Sequence, residues 1–283
     1  MPTAPGVEGD VRFTSGGVRL RRHLVTPGPL NWLFVPGGPG IGADSLADLV
    51  GCTLPPGTSW LVDLPGDGSN TAPPGAPGDP YARWPHVLLE AFEAVPNPVA
   101  VGHSTGGEYL LSVPEVEPLL AGLVLMSTAP HAGWMPIFAE MTRQHPLPAV
   151  DAATRRYEAA PSIENLRDLA VASAPWNFTP DAVAAGSRLL ADMPYNPAAV
   201  AWSDEHFDHD YTAAWWPEHL PTLIVSGAED RIVVQRLWDV ARFRGPNVTR
   251  AVIDGAAHFP WIDRPDEVGR AIRSWAEWLR ESR

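Results

Sequence analysis

Val99-Ala100-Val101-Gly102-His103-Ser104-Thr105-Gly106-Gly107 is the stretch on which the fold turns. The apolar run Pro98–Gly102 reads as a buried strand, and a helical pattern runs from about Thr105 to Ser112. Ser104 therefore falls on the turn between strand and helix, within the spacing G-x-S-x-G. The spacing has a chemical reason. A hydroxyl on a sharp, strained turn projects from the head of the helix, and Gly102 and Gly106 let neighbouring backbone come close. Ser104 is the candidate nucleophile. The backbone N–H of Thr105 is one candidate donor to a developing oxyanion.

Upstream, Val11–Phe13 and Val18–Leu24 read as short strands around Ser15-Gly16-Gly17. Asn31–Val35 is a continuous apolar run stopped by Pro36-Gly37-Gly38-Pro39-Gly40, a buried strand ending in a glycine loop. A short helix over Ala43–Val50, a strand over Trp60–Leu64 and a helix over Tyr81–Val95 follow, the last with Trp84, Val87, Leu88, Ala91 and Phe92 on one face. Downstream, Leu119–Ser127 is a strand. Between Pro130 and Pro221 no buried strand stands out. Helical stretches such as Ala152–Ala160 and Ile163–Ala172 alternate there with proline-bearing loops. Strand and helix alternate again through Pro221–Ser226, Val234–Phe243, Val248–Ile253 and Pro265–Arg280. The expectation is an α/β fold, a mostly parallel sheet with helices on both faces. Residues 1–129 and 219–283 would form its core, and residues 130–218 a helical insertion.

A serine hydroxyl needs a base, and the base needs an orienting acid. His258 lies just past the last predicted strand and Asp230 just past the preceding one, in the order Ser, Asp, His. Parallel strands end on one edge of the sheet, so all three residues reach the same edge. Glu229 is the rival acid. The second oxyanion donor is expected from the loop after Asn31–Val35, with Gly38 as the candidate and Gly37 and Pro39 as its neighbours.

These residues together resemble the α/β-hydrolase fold family, and the resemblance spans most of the chain. Gly102–Gly107 is similar to its nucleophile elbow, and Gly227-Ala228-Glu229-Asp230 to its G-x-x-D strand end. His258 through Asp263, Pro265 and Val268 resembles its H-x-x-x-x-[ED]-x-P-x-x-V ending, and Asp63 through Ser69 its D-x-[RP]-G-x-G-x-S strand end. Gly37-Gly38-Pro39-Gly40 further resembles the H-G-G-P-G loop of proline iminopeptidase-like members, with Pro36 where that loop carries His. The resemblance implies a helical cap after the sixth strand, in agreement with the insertion at 130–218. It implies a serine hydrolase acting on an ester, a thioester or a small amide through an acyl-enzyme. The same triad would also serve an acyltransferase, a C–C bond hydrolase or lyase, or an iminopeptidase-like aminopeptidase. A non-catalytic binding module is the remaining class, and the complete Ser104, Asp230 and His258 set argues against it.

Composition narrows the partners. The chain has 283 residues, 45% of them hydrophobic, and a net charge of −13, with every basic side chain except histidine an arginine. No dense basic run is present to hold a nucleic acid backbone. No apolar run approaches the roughly 20 residues of a membrane helix, and the N-terminus lacks the pattern of a signal peptide. A cytoplasmic monomer or homodimer acting on a small-molecule substrate is expected. Cys52 is the one cysteine, so no disulfide framework exists, and it reads as a small idle residue. The tryptophan-rich insertion suggests an apolar pocket. Trp134, Trp215 and Trp261, with Gly37, are candidate substrate contacts, against the alternative that the tryptophans pack the insertion onto the core. Asp204-Glu205-His206-Phe207-Asp208-His209-Asp210 reads as a solvated loop, with amine-receiving acids and metal ligands as alternatives. No metal and no cofactor are expected. His103, His131 and His145 are read as local packing or surface.

Overall fold

Alternation along Asn31–Val35 sends Trp32 and Phe34 to one side of a sheet and Leu33 and Val35 to the other, and each pair enters a different core. In the computed structural model, which describes residues 10–281, eight strands build that sheet. They are β1 (Val11–Phe13), β2 (Arg19–Val25), β3 (Asn31–Val35), β4 (Thr58–Asp63), β5 (Pro98–His103), β6 (Gly122–Met126), β7 (Thr222–Gly227) and β8 (Val248–Ile253). The first nine residues, part of the stretch read as lacking a signal peptide, lie outside the described residues. The spatial order is β1-β2-β4-β3-β5-β6-β7-β8. The β1–β2 and β2–β4 pairings are antiparallel and the other five are parallel.

The helices are α1 (Ala47–Thr53), α2 (Trp84–Glu93), α3 (Thr105–Ser112), α4 (Met135–Gln144), α5 (Pro148–Ala159), α6 (Ile163–Ala172), α7 (Ala174–Asn177), α8 (Val183–Asp192), α9 (Pro197–His206), α10 (Pro260–Asp263) and α11 (Pro265–Glu281). Trp32 and Phe34 share a core with Leu49 of α1 and Trp275 and Leu279 of α11. Leu33 and Val35 share the other with Trp84 and Leu88 of α2 and Leu110 of α3. Each such apolar side chain removed from water contributes about 1.5–3 kcal/mol, which fixes the register of the central strands. Val35 pairs with Gly102, His103 with Met126 and Gly227 with Ile253. The C-terminal ends of β3, β5, β7 and β8 therefore line up, and the loops that leave them meet above one edge. Helices α4 to α9 all fall between β6 and β7. Among the described residues no helix is long and apolar enough to cross a membrane.

Three expectations are corrected. Val234–Phe243 is two 3-10 turns, Gln235–Trp238 and Ala241–Phe243, rather than one helix. Trp238 and Phe243 are both buried and touch at 5.0 Å. Five residues apart they would lie about 140° apart on an α-helix, so the chain extends at Val240 (φ −93°, ψ 153°) to bring both inward. Several prolines assigned to loops of the insertion instead open helices, in the first turns of α4, α5, α7 and α9. A first-turn N–H has no intrahelical acceptor, so its loss there costs nothing. Ala43–Val50 divides into a 3-10 turn, Ala43–Leu46, and α1.

Candidate active site

Ser104 leaves β5 with φ 50° and ψ −126°, a backbone conformation that costs a non-glycine residue about 1–3 kcal/mol. The surroundings hold it there. Its N–H donates to the Met126 carbonyl at 3.0 Å, and its carbonyl accepts from Gly107 at 2.9 Å. A Cβ on Gly102 would lie 2.6 Å from the Gly107 Cα, and one on Gly106 would lie 2.3 Å from the Val35 carbonyl oxygen. The two glycines let the turn close this tightly against β3 and α3. Thr105 N–H is the first of α3, one of the donors a helix leaves without an acceptor of its own.

Asp230 and His258 arrive from β7 and β8 and meet. His258 Nδ1–H donates to the Asp230 carboxylate at 3.1 Å, with the side chains 4% and 1% exposed. A carboxylate only accepts, so Nε2 is left as the basic nitrogen. Asp230 Oδ1 also accepts from Ile232 N–H at 2.9 Å and Val233 N–H at 3.0 Å, which orients the carboxylate before it meets the ring. Glu229, the rival acid, is exposed. Ser104 and His258 line one cavity. Among the described residues the Ser104 hydroxyl holds no hydrogen bond.

The backbone of His258 is held at both of its polar atoms. Its N–H donates to the Asn177 carbonyl at 3.1 Å, and its carbonyl accepts from His103 Nε2 at 3.1 Å. The His103 ring is buried against Phe259 and Trp261. Burial, and then the neighbouring His258, hold its pKa well below the usual range, so it stays a neutral donor. Asp263 completes the clamp. Its buried carboxylate accepts from Thr179 N–H (2.9 Å), Thr179 Oγ1 (2.8 Å) and Ala257 N–H (2.8 Å), tying the stretch between β6 and β7 to the histidine loop. Asp263→Ala would strand these donors away from water. It is expected to cost about 3 kcal/mol in urea unfolding, and a loss below about 1 kcal/mol would mean that water replaces the carboxylate.

The cavity, about 270 Å³, is walled by the glycine loop on one side and by helices from between β6 and β7 on the other. Gly37, Gly38 and Thr105, the expected oxyanion neighbours, all line it, and Gly38 takes φ 119°. A Cβ on Gly37 would stand 2.8 Å from Ser104 Cβ, so the loop passes directly over the nucleophile candidate. Trp134 lines the cavity, but Trp215 and Trp261 do not. Trp215 is buried against the sheet-side core, its indole N–H donating to the Leu110 carbonyl at 2.9 Å. Trp261 packs edge-on against His103 at 4.8 Å. Both are apolar supports of the site rather than its walls.

The acidic and histidine cluster divides in two. Asp204 and His209 pair at 3.1 Å on the exposed surface, and Glu205, His206 and Asp210 are exposed too. Asp208 instead turns inward. It accepts from Ser203 Oγ at 2.7 Å and lines the cavity. Among the described residues no group of three potential ligands could hold a metal ion. His131 caps a turn through Gly133 N–H, and His145 is exposed at the end of α4. Burial pushes the Cys52 thiol up to about 12, where it is unreactive.

Glu108, one turn beyond Ser104 on α3, is 2% exposed. Burial, and then the charge of Asp208, push its carboxyl up to about 8. The Trp134 indole N–H eases this only in part and closes no full hydrogen bond. Asp67 is likewise pushed up to about 8, by burial and then by Asp63, against the backbone N–H groups of Gly68, Gly40 and Gly42. Between about pH 4.5 and 8 the folded chain keeps a proton on Glu108 that the unfolded chain releases, so this group lowers stability as pH rises through that window. Glu108→Gln is therefore expected to gain on wild type in melting temperature from pH 5 to pH 8.5. Parallel curves would place the proton elsewhere.

Comparison with known proteins agrees with this architecture. A model of the alpha/beta hydrolase family matches residues 32–271. Among solved structures, a proline iminopeptidase-related protein from Thermus thermophilus is 23% identical, with TM-score 0.71 over 97% of this chain and 99% of that one. A thermophilic esterase from Thermogutta terrifontis is 20% identical, with TM-score 0.64 over 98% and 99%. A meta-cleavage product hydrolase from Pseudomonas fluorescens IP01 is 18% identical, with TM-score 0.63 over 97% and 98%. At these identities the likeness is one of fold. No curated protein sequence matches the chain. With the family model covering most of its length, and with the strand order and the Ser104 turn described above, the chain belongs to the alpha/beta hydrolase family.

Proposed function

We propose that this protein is a serine hydrolase that cleaves an ester, thioester or small amide of a small molecule, with residues 130–218 as a cap over the cavity. The observation that carries the reading is the 3.1 Å bond from His258 Nδ1 to Asp230, behind a cavity that His258 shares with the strained Ser104 turn. Ser104 Oγ attacks the carbonyl carbon as its proton passes to His258 Nε2. Asp230 holds the ring in the required tautomer and stabilises the imidazolium. The N–H groups of Gly38 and Thr105 receive the oxyanion. The tetrahedral intermediate collapses, and His258 returns the proton to the leaving atom. Water, deprotonated by the same nitrogen, then releases the acid. The Ser104–His258 hydrogen bond forms with substrate in place, as such bonds commonly tighten only in the complex.

One feature favours a second reading. Among the described residues lining the cavity, Asp208 is the one carboxylate, and it would suit a substrate with an amine, such as an aminoacyl amide. Two substrate panels separate these readings: p-nitrophenyl esters of increasing acyl length, and aminoacyl naphthylamides including prolyl. Labelling by a small fluorophosphonate tests the nucleophile itself. Turnover confined to the esters supports the first reading, and turnover of the naphthylamides supports the second. An unlabelled serine with no turnover on either panel overturns the acyl-enzyme mechanism.

A further inference from the structure

A second cavity of about 700 Å³ lies within the inserted helices, between α4, α5, α6 and α7. Ser173, Asn177 and Ile232 line both it and the Ser104 cavity, so the two adjoin at these residues. We propose that they join there through a neck, that this outer chamber is the leaving-group site, and that the alcohol portion of the substrate is an apolar, aryl-bearing one; this rests on the serine hydrolase reading above.

The position of the neck assigns the arm of the substrate. Asn177 accepts the His258 backbone N–H, and Ile232 N–H donates to Asp230. The neck thus borders the acid–histidine pair, while Gly37, Gly38 and Thr105 border the serine from the glycine loop and the head of α3. In acyl transfer the carbonyl oxygen points to the oxyanion donors, and the leaving atom must face the histidine that protonates it. The leaving group therefore exits through the neck, and the acyl group stays in the inner chamber against side chains such as Leu166, Leu190 and Val200. The chemistry of the outer wall assigns the class. Phe138 and Trp176 meet edge to face at 5.9 Å, with Leu147, Val150 and Leu169 around them, while Arg143 and Asp151 line its exposed side. Aromatic walls of this kind favour an aryl guest.

The test compares two ester series. In one, acetate is esterified to ethanol, benzyl alcohol and 2-(2-naphthyl)ethanol. In the other, ethyl esters carry growing acyl groups. Wild type should gain at least about tenfold in kcat/KM along the alcohol series. Leu169→Trp fills the outer chamber alone and should abolish that gain while sparing ethyl acetate and the acyl series. Thr154→Trp, from the facing helix, should do the same if the first variant folds poorly. A binding arm needs no turnover: 2-(2-naphthyl)ethanol should bind Ser104→Ala in calorimetry, and adding Leu169→Trp should weaken it at least about tenfold. A flat alcohol series without binding overturns the chamber, as does an acyl series that Leu169→Trp alone disturbs. Fluorophosphonate labelling keeps the two claims apart. Labelled protein with no alcohol dependence overturns the chamber only. Unlabelled protein that still binds the alcohol supports the chamber and overturns the acyl-enzyme.

Discussion

Ser104→Ala is expected to lower kcat by about a million-fold on any substrate the wild type turns over, the scale seen when a triad serine is removed. No general base can compensate, because the acyl-enzyme bond has no atom to form on. Binding should survive, since the glycine loop, the Thr105 N–H and both chambers are untouched. Fluorophosphonate labelling should vanish. The fold should persist as well, because no hydrogen bond among the described residues uses the Ser104 hydroxyl. Ser104→Gly adds a stability readout that activity cannot give. At φ 50° the serine backbone is strained, and glycine adopts that angle freely. The glycine variant should be equally inactive yet more stable than the alanine variant by about 1 kcal/mol in urea unfolding. If Ser104→Ala keeps more than a hundredth of wild-type activity, the nucleophile is another group. If Ser104→Gly gains no stability, the strain at the turn is not borne by this residue.

The sheet was legible because its signals are local. Asn31–Val35 matches β3 residue for residue, since the four consecutive apolar residues Trp32–Val35, stopped by Pro36 and Gly37, leave little else to form. Ser104, Asp230 and His258 reach one edge because strand order alone sends them there. Side-chain direction was not legible in the same way. Trp215, from the tryptophan-rich stretch, and Trp261, three residues past His258, face the core, and Asp208 turns inward from a run of polar residues that otherwise faces water. Nothing in the spacing of those runs distinguishes the two outcomes, because they depend on which neighbour has room. The support of His258 was hidden for another reason. Asn177 acts through its backbone carbonyl, which every residue type carries, and Thr179 and Asp263 are 84 positions apart. In the sequence His103 reads as packing or surface. It is packing, but its one buried N–H is also what holds the His258 carbonyl.

Asp230→Asn tests the other half of the mechanism, with an expected loss of about ten-thousand-fold in kcat, the effect of the same change in a known triad. The geometry says why so small a change is so costly. The asparagine oxygen can keep accepting from Ile232 and Val233 N–H, so the loop stays in place. The group then facing His258 Nδ1 is an amide NH₂, which donates. The ring must answer with an unprotonated Nδ1 and move its proton to Nε2, the nitrogen that should take the proton of Ser104. The base is lost with every atom near its native position, so the damage falls on kcat while KM and the melting temperature move little. Glu229→Gln is the control one residue away. Glu229 is exposed, and its N–H serves only to bond the Ala256 carbonyl, which glutamine preserves. That variant should stay within about twofold of wild type. Should Asp230→Asn remain within tenfold of wild type instead, with Glu229→Gln the impaired variant, the acid would be the neighbour. The 3.1 Å contact would then be a structural ion pair rather than the orienting half of a triad.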